Sequence, residues 1–523
     1  MSSSVRYPRQ IPRAFAVAGL VWLALSTVSS PSSFGQDQPL GSTATLKQIQ
    51  NGWRDQPAPS TVPSIPRESD LVTEPAAAPA MKLAYRFWPS ELSLRPGRAS
   101  VHLERALVFY HSGSPTGLVA WAEYQVALGD ANPDPADLTK RLERFQQVYV
   151  ELERFAECED QSWDLRLRDL RGKDVFGFLL PEVQEYRELA RLLRFRVLEQ
   201  LGRRDFAGAV ASIRCGYRLA AFVRQGETLI QQLVGIAIEG IMQEAVEDAI
   251  RTPGCPNLYF ALATVPHERG PLLRSLEFEL SSFERLFPLL KDAEQRNWDR
   301  ATWQREWARA AADFGGLADF GFESGLSGGQ LGLNLLLAAE VAKDARDSRK
   351  RLVQSGLAED KVAAMSPEQA IAVDASRQLR TMSDELLAAS LQPYPKARAA
   401  VNSVMERLDR EANAVGLRNL GTVLGIMLWP AVNATFDAEL RNASQHHRLL
   451  TIEAVRHFAA TRGGQLPKNL AELTDLPAQV DLFTGEPIGY EMKTGPDGES
   501  AEFSLQSGKL PEVLRTRRLR WRN

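Results

Sequence analysis

The sequence is poor in the residues that mark most protein chemistry. It has 3 cysteines and 6 histidines in 523 residues. Cys158, Cys215 and Cys255 are an odd count at spacings that match no zinc site, which excludes a disulfide framework and a structural zinc cage. Each lies in or beside an apolar segment and reads as a small buried hydrophobe; the alternative is a Cys215–Cys255 bridge. Neither sign of charge prevails. A net charge of -3 gives no global attraction to nucleic acid or to anionic membranes. No nucleophile elbow, HExxH, GxxxxGK[ST] or paired CxxC stretch is recognised, which counts modestly against hydrolase and metalloprotease readings. No cofactor is implied.

What remains is an ordinary globular composition, 44% apolar and 24% charged. The length predicts two or more folded units. Arg6, Arg9 and Arg13 precede a short apolar run, Ala14 to Leu25, and Ser33-Phe34-Gly35 offers a small-x-small cleavage site before Gln36. That order predicts a secretory signal peptide over 1–35. The run falls short of the roughly 20 residues a bilayer span needs, so a membrane is a partner only if the leader stays uncleaved. Residues 36–80 are rich in Pro, Ser, Thr and Ala and read as a disordered linker.

From Met81 apolar residues recur at helical spacing, and a mainly helical domain is expected over 81–435. Leu138, Leu142, Phe145, Val148, Leu152 and Phe155 form one stripe, with Asp137 as its N-cap. The centre of the chain is the stretch from Tyr186 to Ile250. Three apolar stripes there are broken only at Gly202-Arg203-Arg204 and Gln225-Gly226-Glu227. Short breaks make consecutive helices antiparallel neighbours, so tetratricopeptide-like hairpins are expected, with Asp205 and Thr228 as N-caps. Arg187, Arg191 and Arg194 interleave with glutamates and read as a face of ion pairs, with an anion-binding row as the alternative. Trp298, Trp303 and Trp307 read as core aromatics. Residues 314–332 form a glycine-rich loop. It contains Leu326-Ser327-Gly328-Gly329-Gln330, the signature of ABC-type ATPases, but without a phosphate loop that motif implies no nucleotide site.

A smaller α+β unit is expected over 436–510. One helix runs to Gly463-Gly464, and two alternating stretches, Ile488 to Met492 and Ala501 to Leu505, join through Gly495-Pro496-Asp497-Gly498 as a hairpin. Residues 511–523 read as a frayed basic tail. Two stretches then carry a likeness. The first is Gly226-Glu227-Thr228-Leu229-Ile230 to Ala237, with Pro256-Asn257-Leu258-Tyr259. The second is Gly463-Gly464, Leu466-Pro467, Leu470, Leu473 and Asp481-x-x-Thr484-Gly485-x-Pro487. Together they resemble a group of uncharacterised exported proteins of planctomycete-type bacteria. The tail alone is similar to the globular end of type II secretion major pseudopilins. The loop departs from the usual DPxTGKP pattern at Leu482 and Glu486, and the pseudopilin methylation-site helix is lacking. The likeness implies an exported protein and no particular activity.

His446, Glu453 and His457 fall on one face of the tail helix, where Glu453 and His457 at i, i+4 are a weak candidate metal pair. Glu277 and Glu279 are candidate acid–base groups, although residues two apart on a helix face apart. The expectation is therefore an exported helical scaffold that binds a protein partner in the cell envelope and no nucleic acid. The alternatives are an envelope-polymer hydrolase and a membrane-tethered accessory of a secretion system.

Overall fold

A computed structural model describes residues 70–113, 135–163, 167–169, 181–266, 270–315, 345–415, 420–495, 498–506 and 515–521. The signal peptide, the linker up to 69 and residues 316–332 of the glycine-rich loop lie outside the described residues.

Helices dominate the described residues, with a small sheet near the C-terminus. A short strand, β1 (Asp70–Thr73), comes first. Next are β2 (Arg95–Arg98), α1 (Ala99–Gly113), α2 (Pro135–Leu142), α3 (Gln146–Glu157) and β3 (Cys158–Asp160). The expected single helix over this stripe is split by a 3-10 turn at Glu143–Phe145, and Asp137 lies inside α2 rather than capping it.

The central stretch forms α4 (Pro181–Gly202), α5 (Phe206–Arg224) and α6 (Leu229–Arg251), each packed on the other two. Arg204 takes a left-handed φ of 59° just past the end of α4. Asp205 then caps α5 by accepting from the Gly208 N–H at 2.9 Å. Thr228 and Gln231 close a reciprocal capping box on α6, satisfying donors that a helix start leaves orphaned. The stripes face inward: Leu189 and Ile213 are 0% exposed and Val234 is 1%. Gly235 lets α6 approach α5 closely, because a Cβ there would lie 2.9 Å from the Ala220 carbonyl oxygen. All three thiols are free and buried, so no Cys215–Cys255 bridge forms. Burial pushes the Cys215 and Cys255 thiols up to about 12, which keeps them protonated and inert.

After α7 (Tyr259–Ala263), a second core is built by α8 (Gly270–Leu286), α9 (Arg300–Gly315), α10 (Glu359–Ala364), α11 (Pro367–Ser390) and α12 (Tyr394–Val415). Ser366 caps α11 with Pro367 at its first position, as the sequence predicts. Trp303 is fully buried, its ring centroid 4.8 Å from that of Trp298, and the Trp307 indole N–H donates to the Glu368 carbonyl. These are core aromatics.

The last helix runs across the expected boundary at Phe436. α13 (Leu420–Thr461) is one helix that continues through Pro430. Its first half, with Val432 and Phe436, packs into the second core; its second half, with Leu449, Ile452 and Val455, packs into the first. α6 does the same, placing Leu229 and Leu233 in the second core and Ala245 and Ile250 in the first. The two cores therefore share two through-running helices.

The sheet corrects two further readings. Beyond the expected hairpin of β4 (Gly489–Gly495) and β5 (Gly498–Ser504), residues read as a basic tail form β6 (Thr516–Trp521). Residues read as the end of the linker form β1, which pairs parallel with β6 and completes the order β1-β6-β5-β4. Alternation explains both. Leu71 and Leu519 point into the first core, while Arg518 and Arg520 point outward to Asp70 at 3.6 and 3.3 Å. Of a basic run that looks solvated, Arg518 and Arg520 thus share one face of a strand and pair with an aspartate some 450 residues away in sequence, with Glu502 also 3.6 Å from Arg518.

If β1 is part of this core, Leu71→Ala should cost about 2–5 kcal/mol, the usual range for emptying a buried leucine site. Urea unfolding followed by circular dichroism checks this; a disordered linker would show no change.

Candidate functional site

The polar residues that single out a region of this molecule lie along the seam between α6 and α13. α13 buries Glu439, Asn442, Ser444, His446, Arg448, Thr451, Glu453 and Arg456, a long polar stripe for a core helix. Buried charge persists only where it is paired and hydrogen-bonded, so each group's partners matter.

At the N-terminal end of α6, Arg224 of α5 bridges two carboxylates. It donates to Glu239 at 3.0 Å and to both oxygens of Glu439 at 2.8 Å, and the Tyr394 hydroxyl adds a bond to Glu439 at 3.3 Å. Two carboxylates share one guanidinium here. Burial, with Glu439 nearby, holds the Glu239 carboxyl above its ordinary range despite Arg224. Further along, the Gln243 amide donates to the Asn442 carbonyl at 3.0 Å, linking the two helices directly.

A second knot centres on Glu247 of α6. Arg517 of β6 pairs with it, Arg251 lies 3.5 Å away, and the Gln445 amide of α13 donates to it at 2.8 Å. Burial raises the Glu247 carboxyl, but Arg517, Arg251 and Arg448 outweigh that, so it sits below the usual carboxylate range.

The third knot contains one of the candidate metal ligands. Glu453 is 0% exposed; one carboxylate oxygen takes Arg456 at 2.7 Å and the other takes the Leu258 N–H at 2.9 Å. Arg456 also donates to the carbonyls of Glu74 and Cys255, and Asn257 donates to the carbonyls of Ala76 and Glu453. His457 is engaged elsewhere: its Nδ1 accepts the Ala78 N–H at 3.0 Å. His446 is fully buried on the same helix. The three residues share a helix but are not gathered around one point. Among the described residues, no group of three or more His, Cys, Asp or Glu side chains could hold a metal.

The other candidates separate in the same way. Glu277 is exposed, while Glu279 accepts the Leu229 N–H at 3.0 Å, completing the start of α6. Burial holds the Glu279 carboxyl above its usual range. Of the arginine row, Arg191 pairs with Glu188 in α4, Arg194 crosses to Glu244 and Asp248 of α6, and Arg187 is 5% exposed. Arg194 ties α4 to α6, whereas the Arg191 pair lies within α4. The loop that carried the likeness is held from within and by the residues that follow β5. Asp481 is fully buried and accepts the N–H groups of Phe483 and Gln506, and Gly485 supplies a φ of 80°. Leu326 to Gln330 lies outside the described residues. Overlapping that stretch, Gly325-Leu326-Ser327-Gly328-Gly329 does have the Gly-x-Ser-x-Gly spacing of a nucleophile elbow, contrary to the expectation that none is present, and it too lies outside the described residues.

A shallow depression lined by His457, Phe458, Arg462, Leu473 and Asp475 has a volume of about 10 Å³, room for roughly one water. The ties that sequence spacing missed are Arg224, Glu247 and Arg517. Their partners are far apart in the chain, so periodicity within one helix carries no trace of them. No protein-family model, curated protein or solved structure matches the chain.

Glu247 titrates below its ordinary value, so its contribution to stability is present above that value and is lost as pH falls through the lowered one. Glu247→Gln should cost roughly 3–5 kcal/mol near neutral pH, as expected for removing one partner of a buried pair. It should also flatten the acid limb of a stability–pH profile measured by urea unfolding.

Proposed function

We propose that this chain is an exported helical scaffold that binds a protein partner of the cell envelope, rather than an enzyme. One observation carries the reading. Among the described residues, the buried and half-buried groups Glu239, Glu247, Glu279, Glu453 and His457, which could serve as acids, bases or ligands, are engaged in holding helices, a strand and a strap together. Export rests on the N-terminal sequence pattern and on the likeness to exported planctomycete-type proteins.

The packing of α4, α5 and α6 supports a tetratricopeptide-like unit. Short connections, small residues at the contacts and stripes buried on consecutive helices are the features by which such units stack and present a surface. The run of α13 into the β4–β5 hairpin supports a pseudopilin-like tail.

The test is affinity capture with the full chain from an envelope fraction, run beside the purified chain on envelope polymers. The scaffold reading expects a partner recovered at fixed stoichiometry and no polymer cleavage. Cleavage by the purified chain, or capture that recovers no specific partner, overturns it.

A further inference from the structure

Residues 74–80 form a strap that joins β1 to the aromatic segment before α1, and its backbone is bonded at nearly every turn to α13 and to the turn after α6. The Gly254 N–H donates to the Glu74 carboxylate at 3.0 Å and Arg456 donates to the Glu74 carbonyl at 2.9 Å. The Ala76 N–H donates to the Arg456 carbonyl at 3.1 Å, and Asn257 donates to the Ala76 carbonyl at 3.1 Å. On the β1 side, Thr73 bonds the Ile250 carbonyl. The last in line is the Nδ1 of His457, which accepts the Ala78 N–H.

That bond exists only while Nδ1 carries no proton. Once both ring nitrogens are protonated, an N–H would face an N–H, and the acceptor becomes a repelling donor. We propose that His457 is a pH latch: its neutral imidazole holds the far end of the strap at Ala78, and acidification frees that end while the bonds at Thr73, Glu74 and Ala76 stay. The segment beyond exposes Met81 (75%) and Leu83 (47%) up to its next anchor at Phe87, which is fully buried and whose N–H donates to the Thr264 hydroxyl at 3.1 Å.

The charges around the ring set the direction. Burial holds the imidazole below its ordinary value, Asp475 opposes that, and Lys82 adds to it. Asp475 lies 3.8 Å from Nε2 but is itself 72% exposed, so its attraction is screened by solvent. Arg462 lines the same depression and adds positive charge. On the same helix Glu453 and Arg456 neutralise each other at 2.7 Å. The open form therefore binds the proton better than the latched form. The latch is intact above the ordinary imidazole value of about 6.5 and weakens as pH falls below it.

The test is hydrogen exchange of the peptide spanning 76–84 in the full chain, normalised to intrinsic exchange rates at each pH. Between pH 7.5 and 5.0, exchange in this peptide should rise severalfold, up to the roughly thirtyfold that an ordinary imidazole value of about 6.5 permits, while peptides from the interior of α6 stay protected. His457→Gln offers an oxygen acceptor that does not titrate, and there the rise should disappear. Unchanged exchange in the unsubstituted protein would overturn the latch without reference to any variant. So would an equal rise in His457→Gln.

Discussion

Arg224 reaches from α5 across α6 to α13, and its guanidinium joins Glu239 to Glu439 at 2.8–3.0 Å. This bond begins a seam on which the rest of the molecule depends. Along it follow Gln243 to the Asn442 carbonyl, Gln445 to Glu247, and Arg517 to the same glutamate. The seam closes where Asn257 and Leu258 bond Glu453. Two helices that each cross from one hydrophobic core to the other are held in one register by polar contacts that cannot slide. Apolar packing alone is non-directional and would tolerate a shift along the axis; buried hydrogen-bonded pairs do not.

The seam also accounts for the way the chain ends meet. Arg517 brings β6 against α6, and Arg456 brings the strap against α13, so β1 and β6 arrive side by side with their leucines facing the same core. Asp70 then neutralises the outward arginines of β6. What looks like two loose extensions in sequence is one edge of a sheet.

Local features were legible in the sequence because their causes are local. Thr228, Asp205 and Ser366 cap helices through bonds spanning three residues. The stripes of α4 to α6, the aromatic core at Trp303 and the antiparallel pairing of β4 with β5 followed from periodicity and alternation. Illegible were the features whose partners are hundreds of residues apart. Residues 70–73 are too short, and 516–521 too basic, to read as strands without knowing of each other. The metal candidate failed for a related reason. Spacing placed Glu453 and His457 on one face, but the donors that occupy them, the Leu258 and Ala78 N–H groups, come from other parts of the chain.

The division into a helical domain and a tail unit at Phe436 likewise followed composition, whereas a single helix and a shared seam cross that point. The most direct measurement of the seam is native-state hydrogen exchange of α6 and α13 amides in rising, sub-denaturing urea. A molecule held by this seam predicts that protected amides from both halves of α13 and from α6 converge on one unfolding isotherm. Two separate isotherms, with the 431–438 and 449–455 portions of α13 opening independently, would contradict it.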